Sequence, residues 1–453
     1  NSPFDCAFCA GNYEYERSTD AVFLELSLPF MENIETQIAL RYEDYGGQIG
    51  SELSPKIAMS WRPMDTLLVR GSFSQSFRAP NIAIIEEGLE TNNLTFLDPF
   101  SNQAVRAGLL EPTIYNAEAE RTYTLGGPAP YVGNEYADTY SAGFLWTPGG
   151  DLEGLSIGAD FWRFEVTDRV LPEPPISALQ PEIDNFNIAK ADPGNYILNA
   201  SISASSANPF EACDPNALAT QYGVDSTERL ACVVDPRTYV TDGIQRQATS
   251  TAGDLITLTL AAINAGVIKA DGADVTASYR WDNDWGRFGV SLDYTHVRQY
   301  AITDVPGLEF GLLDSGVSDA AGTTGDGNLV RSLPDNKGHL TFNWSRDNHG
   351  ITAINRHIGS YQDLAYDTAY ASGTDFTRSL LSKTVDSYQT WDLQYNYTHD
   401  WSISRLGTSR FTVGVLDVFN EDLPYRESSS LHFDSSVFDG RGRRIYARVL
   451  MQL

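Results

Sequence analysis

The chain reads as an all-β protein, a transmembrane antiparallel β-barrel wall, and three observations carry that reading. Apolar and polar residues alternate with period two in segment after segment, short and long connections alternate between those segments, and tryptophans close several of them on the apolar side.

The alternation is the primary signal. Ile34, Thr36, Ile38, Leu40 and Tyr42 share one side of a strand whose other side holds Glu35, Gln37 and Arg41. Ile57, Met59 and Trp61 oppose Lys56, Ser60 and Arg62, and Leu67, Val69, Phe73 and Phe77 oppose Arg70, Ser72, Ser74 and Arg78. The pattern returns at Tyr140 to Trp146, Val275 to Trp281, Phe288 to Tyr294, Leu340 to Trp344 and Trp391 to Tyr397. It closes with Ile445, Ala447, Val449, Met451 and Leu453 against Arg444, Tyr446 and Arg448. Thirteen strands follow, near 20–29, 34–45, 52–62, 67–78, 139–146, 155–167, 255–281, 286–301, 338–345, 351–362, 387–398, 409–419 and 441–453. A soluble sandwich also alternates, so the other two signals decide the solvent.

Connections at 29–33, 63–65, 148–151 and 346–350 are short, whereas those near 79–138, 169–254, 303–335 and 363–386 are long. Outer-membrane barrels show this asymmetry, with short periplasmic turns and long extracellular loops. Trp61, Trp146, Trp281 and Trp344 each stand on the apolar face just before a short turn. An indole carries an apolar body and one donor, so it prefers the membrane boundary, and these four form a candidate aromatic girdle.

Composition excludes other classes. No stretch of the 453 residues approaches the roughly 18 consecutive apolar positions a membrane helix needs. A formal charge of −29 argues against a nucleic-acid partner, which requires clustered Lys and Arg. Asn1 opens the chain without a leader pattern, which predicts a mature or truncated piece. A complete single-chain barrel has an even number of strands, so thirteen reads as an incomplete one; alone it would leave two edges unpaired in lipid at several kcal/mol per unsatisfied group, and further strands are expected to complete it.

The segment Ser74-Gln75-Ser76-Phe77-Arg78-Ala79-Pro80 resembles the Ser-x-x-Phe-Arg-Ala-Pro strand end of TonB-dependent receptors. Glu135 to Phe144 with Trp146-Thr147-Pro148, Gly154 to Val170, Asn264-Ala265-Gly266 with Gly272 to Val275, and Asp417 to Tyr425 are similar to successive pieces of the same barrel, in the same order. The resemblance runs from Ile34 to Leu453 and implies the last thirteen of 22 strands. It also implies residence in the Gram-negative outer membrane and partnership with lipid, the remaining strands, a plug domain and, through that plug, the TonB complex. The plug and the TonB-contacting box do not occur in this sequence, and Leu453 stands where the family has a terminal aromatic.

Candidate chemistry is sparse. Cys6-x-x-Cys9 lacks the further ligands of a zinc site and reads as a surface disulfide, while Cys213 and Cys232 bracket a polar stretch of the longest loop and read as its staple. The six histidines show no ligand spacing, Asp314 to Asn328 fits no calcium-loop pattern, and neither a nucleophile elbow nor a triad stands out, so no metal, cofactor or catalytic residue is assigned. Ligand binding is expected from Arg78 and from loop aromatics: Phe96, Phe100, Tyr115, Tyr123, Tyr131, Tyr361, Tyr366 and Tyr370. Aromatic faces suit sugar rings and aryl siderophores alike. The expected function is active import of a small-molecule or oligosaccharide nutrient, with a glycan and a ferric siderophore both open. The alternatives are a passive porin and a soluble β-sandwich carbohydrate-binding module.

Overall fold

In the computed structural model, residues 14–452 are described except 48, 87–91, 103–104, 106–109, 114–115, 128, 130, 174, 192–243, 247–254, 306–318, 325–331, 367–379, 402–406 and 428. The chain opens with four strands in meander, β1 (Asp20–Met31), β2 (Ile34–Asp44), β3 (Ser51–Met64) and β4 (Leu67–Arg78). A short helix α1 (Ile82–Glu86) and the strands β5 (Asn92–Asp98) and β6 (Glu118–Gly127) then leave that layer. It resumes with β7 (Glu135–Trp146) and β8 (Leu155–Thr167), and departs again through β9 (Val170–Pro172), helices α2 (Pro175–Ala178) and α3 (Gln180–Ala191), β10 (Ile244–Arg246) and β11 (Leu255–Asn264). After β12 (Val267–Asn283) and β13 (Gly286–Thr303) come the two-residue β14 (Thr323–Thr324), β15 (Asn336–Arg346) and β16 (His349–Ile358). β17 (Tyr361–Tyr366), β18 (Leu380–Val385), β19 (Tyr388–Asp400), β20 (Thr408–Leu416) and β21 (Arg444–Gln452) complete the chain.

Thirteen of these strands make one antiparallel sheet in the order β1-β2-β3-β4-β7-β8-β12-β13-β15-β16-β19-β20-β21. Every step joins neighbours along the chain, and the register keeps the two faces separate across all of them. Val22, Leu26, Ile57, Met59, Phe161, Phe342, Leu393, Val413, Ile445 and Val449 lie on one face, and each is exposed. Among the described residues no element covers this band. A contiguous apolar surface of this extent calls for lipid or another apolar partner, because water would charge about 25 cal/mol for every Å² of it. The opposite face carries Ser72 bonded to Ser141 at 2.7 Å, Arg70 bonded to Asp160, and Thr295 bonded to Asp274 at 2.6 Å.

The packed cores lie elsewhere. Phe100, Val105, Ile183 and Phe186 form one cluster, and Leu179, Leu255, Leu258 and Leu260 another. Both belong to a second sheet, β10-β11-β6-β5, and its helices, built entirely from the long connections. A third sheet, β14-β17-β18, rises from the next two. The long connections thus form a folded layer at one end of the strands.

Four predicted strands need correction. The expected strand 255–281 is two, because Asn264-Ala265-Gly266 turns the chain out of the wall. Gly266 sits at φ +83°, a left-handed conformation that costs glycine nothing. The Asn264 amide donates to the Gly133 carbonyl at 3.1 Å and the Asp168 carbonyl at 2.7 Å, and accepts from the Gly133 N–H at 2.5 Å, pinning the turn. β11 then pairs in parallel with β6. Likewise 351–362 stops at Ile358, so that Tyr361 enters the third sheet, and 409–419 stops at Leu416 because Asp417 adopts φ 51°. The last strand starts at Arg444 rather than 441, which leaves 417–443 as a further long connection.

Candidate functional site

Where the wall meets the loop layer, the polar face opens into a cavity of about 340 Å³ under the 417–443 connection. β16 supplies Arg356, β19 supplies Tyr388 and Asp392, β21 supplies Arg444, and the connection adds Asp417 and Phe438. Arg356 pairs with Asp392. The other oxygen of Asp392 accepts the backbone N–H of Asp417 at 2.9 Å, and Asp417 Oδ1 accepts the N–H of Glu421 at 3.0 Å. Asp417 is 7% exposed, and its Oδ2 has no partner among the described residues. Arg444 holds Asp439 through Nη2 at 2.9 Å while its Nε is buried without a partner among the described residues. The cavity therefore offers one spare acceptor and one spare donor, which suits a polar solute carrying both kinds of group.

A second feature of the polar face is aromatic. Trp162 stacks on Phe164 with centroids 5.9 Å apart, and Phe164 meets the edge of Tyr300 at 6.5 Å. Gly272 makes room for the indole, since a Cβ there would stand 2.5 Å from Trp162 Cζ2. Sequence reasoning did not select these residues. The signal was present: Trp162 and Phe164 are large rings on the side of β8 where the alternation calls for polar groups.

Above both, three long connections are tied by a buried polar network. Arg426 lies 3.4 Å from Asp363 and 3.3 Å from Asp434, and the Tyr361 hydroxyl donates to Asp434 at 3.1 Å. Thr324 donates to Ser332 or accepts from it, and Ser436 donates to Asp434 at 2.6 Å. Burial disfavours the Asp434 carboxylate, but hydrogen bonds from Ser332 and Ser436 outweigh it and hold Asp434 below the usual carboxylate range. Burial, then the negative charge of Asp434, push the Tyr361 phenol well above its ordinary value. A neutral tyrosine is thus part of the closed network. Its contribution is complete below about pH 10, where an unfolded tyrosine ionises, and is lost as pH rises beyond that. Limited proteolysis of these connections is expected to accelerate above about pH 10, and Tyr361→Phe is expected to flatten that dependence.

The residues expected to bind ligand fall in several places. Arg78 ends β4 and pairs with Glu135, which also accepts the Val170 N–H at 2.7 Å, so it braces the mouth of the wall. Phe100 is 0% exposed against Phe186 and Tyr361 is 1% exposed beside Val385 and Phe438. Neither presents a face to solvent in this structure, and both pack within the loop layer. Tyr131 is 95% exposed. Phe96 and Tyr123 stand on the paired strands β5 and β6, and Tyr366 on β17 opposite Leu380. Tyr115, Tyr370, Cys6, Cys9, Cys213 and Cys232 lie outside the described residues. None of the described residues expected to bind ligand lines the cavity. Trp281 and Trp344 both pair with Phe288 on the apolar face, Trp146 pairs with Leu67, and Trp61 pairs with Val69 and Ile34. Among the described residues no cluster of three or more His, Cys, Asp or Glu is placed to hold a metal ion.

Comparison with known proteins bears on the whole wall. No curated protein matches the chain. Among solved structures, the ferric enterobactin receptor PfeA of Pseudomonas aeruginosa, in complex with enterobactin, is similar at a TM-score of 0.52 and 12% identity over 95% of this chain and 45% of that one. The siderophore receptor PirA of Acinetobacter baumannii is similar at 0.52 and 13%, over 95% of this chain and 45% of that one. The chain spans less than half the length of these receptors, and at such identities the likeness is one of fold. The family model described as TonB dependent receptor-like, beta-barrel matches residues 2–202 and 237–418, which take in twelve of the thirteen wall strands and the loop layer up to β20. With its antiparallel wall, short turns at one end and folded loops at the other, the chain belongs to the TonB-dependent receptor β-barrel family.

Proposed function

We propose that this chain forms part of an importer in the outer membrane of a Gram-negative bacterium, which takes up a scarce nutrient at the expense of energy delivered through TonB. The observation that carries the reading is the uncovered apolar face of the thirteen-stranded sheet, backed by a polar face that meets a folded loop layer with a polar cavity beneath it. In this reading lipid covers the band, and Trp61, Trp146, Trp281 and Trp344 form the girdle at the periplasmic boundary. Further strands pair with the free edges of β1 and β21, and a plug domain couples the lumen to TonB. Solute is met first by loop aromatics, Phe96, Tyr115, Tyr123, Tyr131, Tyr366 and Tyr370, and then by the cavity of Asp417 and Arg444. The named ligands of the similar receptors put ferric siderophores first among the solutes to try, with oligosaccharides second. No catalytic step is assigned.

The test is uptake by cells carrying the full-length receptor. Deleting its gene is expected to abolish accumulation of one labelled ferric chelate or oligosaccharide, and deleting TonB is expected to do the same. Uptake that persists without TonB would return the chain to the passive-porin reading, and unchanged uptake of every solute after gene deletion would end the import reading.

A further inference from the structure

At the opposite end of the polar face, beside the short turns, lies a second cavity of about 420 Å³, lined by β12, β13, β15, β16, β19 and β20. Among the described residues three guanidinium groups border it, those of Arg280, Arg287 and Arg410. In a chain whose formal charge is −29, that is a local reversal of sign. Elsewhere on this face Arg70 meets Asp160, Arg78 meets Glu135 and Arg356 meets Asp392. Arg280 and Arg410 have no carboxylate partner among the described residues, and Arg287 has only a 3.2 Å contact to Asp282 in which both side chains are about 70% exposed. Such a contact is worth little in water. Among the described residues the acidic one on the rim is Asp347, which stands on a turn with its side chain 85% exposed, 3.8 Å from Arg346.

The amides of the cavity are oriented by their neighbours. Asn343 Oδ1 accepts from the Thr352 hydroxyl at 2.9 Å. Asn396 Oδ1 accepts from the Thr412 hydroxyl at 2.8 Å and from Gln394 Nε2 at 3.1 Å, and Gln394 is itself turned by the Tyr446 hydroxyl donating to its Oε1 at 2.8 Å. With both carbonyl oxygens engaged, each asparagine is left with its NH₂ group, a donor, for the cavity. Space is provided by Gly289 and Gly350, which also line it; a Cβ at either would meet nothing nearer than 3.7 Å. Donors and cations thus converge on a void of the size that small-molecule sites occupy.

We propose that this cavity is a binding site for a small solute bearing carboxylate or phosphate groups, held by Arg280 and Arg410 with the Asn343 and Asn396 amides. Guanidinium groups bind such oxyanions with paired, charge-assisted hydrogen bonds. The site lies at the far end of the lumen from the loops, so it is separate from the cavity of Asp417 and Arg444. It rests on the wall geometry and not on TonB coupling or on which nutrient is imported.

The test is calorimetric titration of the full-length receptor in detergent with citrate and with pyrophosphate. Binding of at least one is expected, weakening with added salt and falling at least about tenfold in Arg280→Gln/Arg410→Gln. Gly289→Leu, which fills the void while leaving both arginines in place, is expected to abolish binding, and its unchanged thermal melt would confirm that it folds. The proposal is overturned if neither anion binds the unaltered receptor, or if the double variant binds as tightly. It is equally overturned if the double substitution lowers the melting temperature of a receptor that binds no anion, because the arginines then serve acidic side chains of the receptor itself.

Discussion

Leu340→Arg is expected to destabilise the folded barrel by about 2–4 kcal/mol, while Thr341→Arg, one residue further along the same strand, is expected to cost less than about 1 kcal/mol. Leu340 lies on the apolar face, 37% exposed and paired with Leu292, so an arginine there is carried into hydrocarbon. Thr341 pairs with Ser291 on the polar face, where a guanidinium stays hydrated. The contrast isolates the solvent of each face, because side-chain size and strand position are the same in both variants. Urea unfolding of the full-length receptor in lipid vesicles measures it. Equal costs for the two variants would sink the assignment of lipid to the apolar face.

The second large effect is expected at Arg426. Its side chain is 17% exposed between Asp363 and Asp434, each 2% exposed in its side chain. Arg426→Met keeps much of the volume but leaves two buried carboxylates without their cation, and removing one member of a buried ion pair costs about 3–5 kcal/mol. The loss falls on the loop layer and not on the wall, whose strands pair independently of it. Hydrogen exchange is therefore expected to accelerate in 319–324, 361–366 and 423–438 while β12, β13 and β15 stay protected. Protection unchanged throughout would show that the three connections hold together without this cluster. Adding Asp363→Asn and Asp434→Asn to Arg426→Met is expected to recover part of the loss, since the uncompensated charge is then gone.

The wall was legible because it obeys a local rule. A strand buried in lipid on one side and facing water on the other writes its orientation into every second residue, as Val275, Ala277, Tyr279 and Trp281 show against Thr276, Ser278 and Arg280. The same rule misled at Leu255 to Asn264, where alternation continues into a strand of another sheet. Nothing in the pattern marks the change of partner except Asn264-Ala265-Gly266, whose turn depends on Gly133 and Asp168 from distant connections.

The candidate site was less legible. Exposed aromatics were sought in the loops, yet Phe100 and Tyr361 pack inside the loop layer, while Trp162 and Phe164 took the inward face of a strand that had been read for its motif. The Tyr361 hydroxyl meets Asp434 across 73 residues of chain, a separation at which composition says nothing about contact.

From the sequence alone came the class of solvent on each face, the thirteen strands and the family, because side-chain period and the strand-end pieces are properties of short segments read in order. Only the folded chain decided which connections form sheets of their own, which arginines are neutralised and which are left to line a cavity. Those outcomes depend on registers and on loop contacts between residues far apart in sequence, and charge compensation is a matter of distance in space.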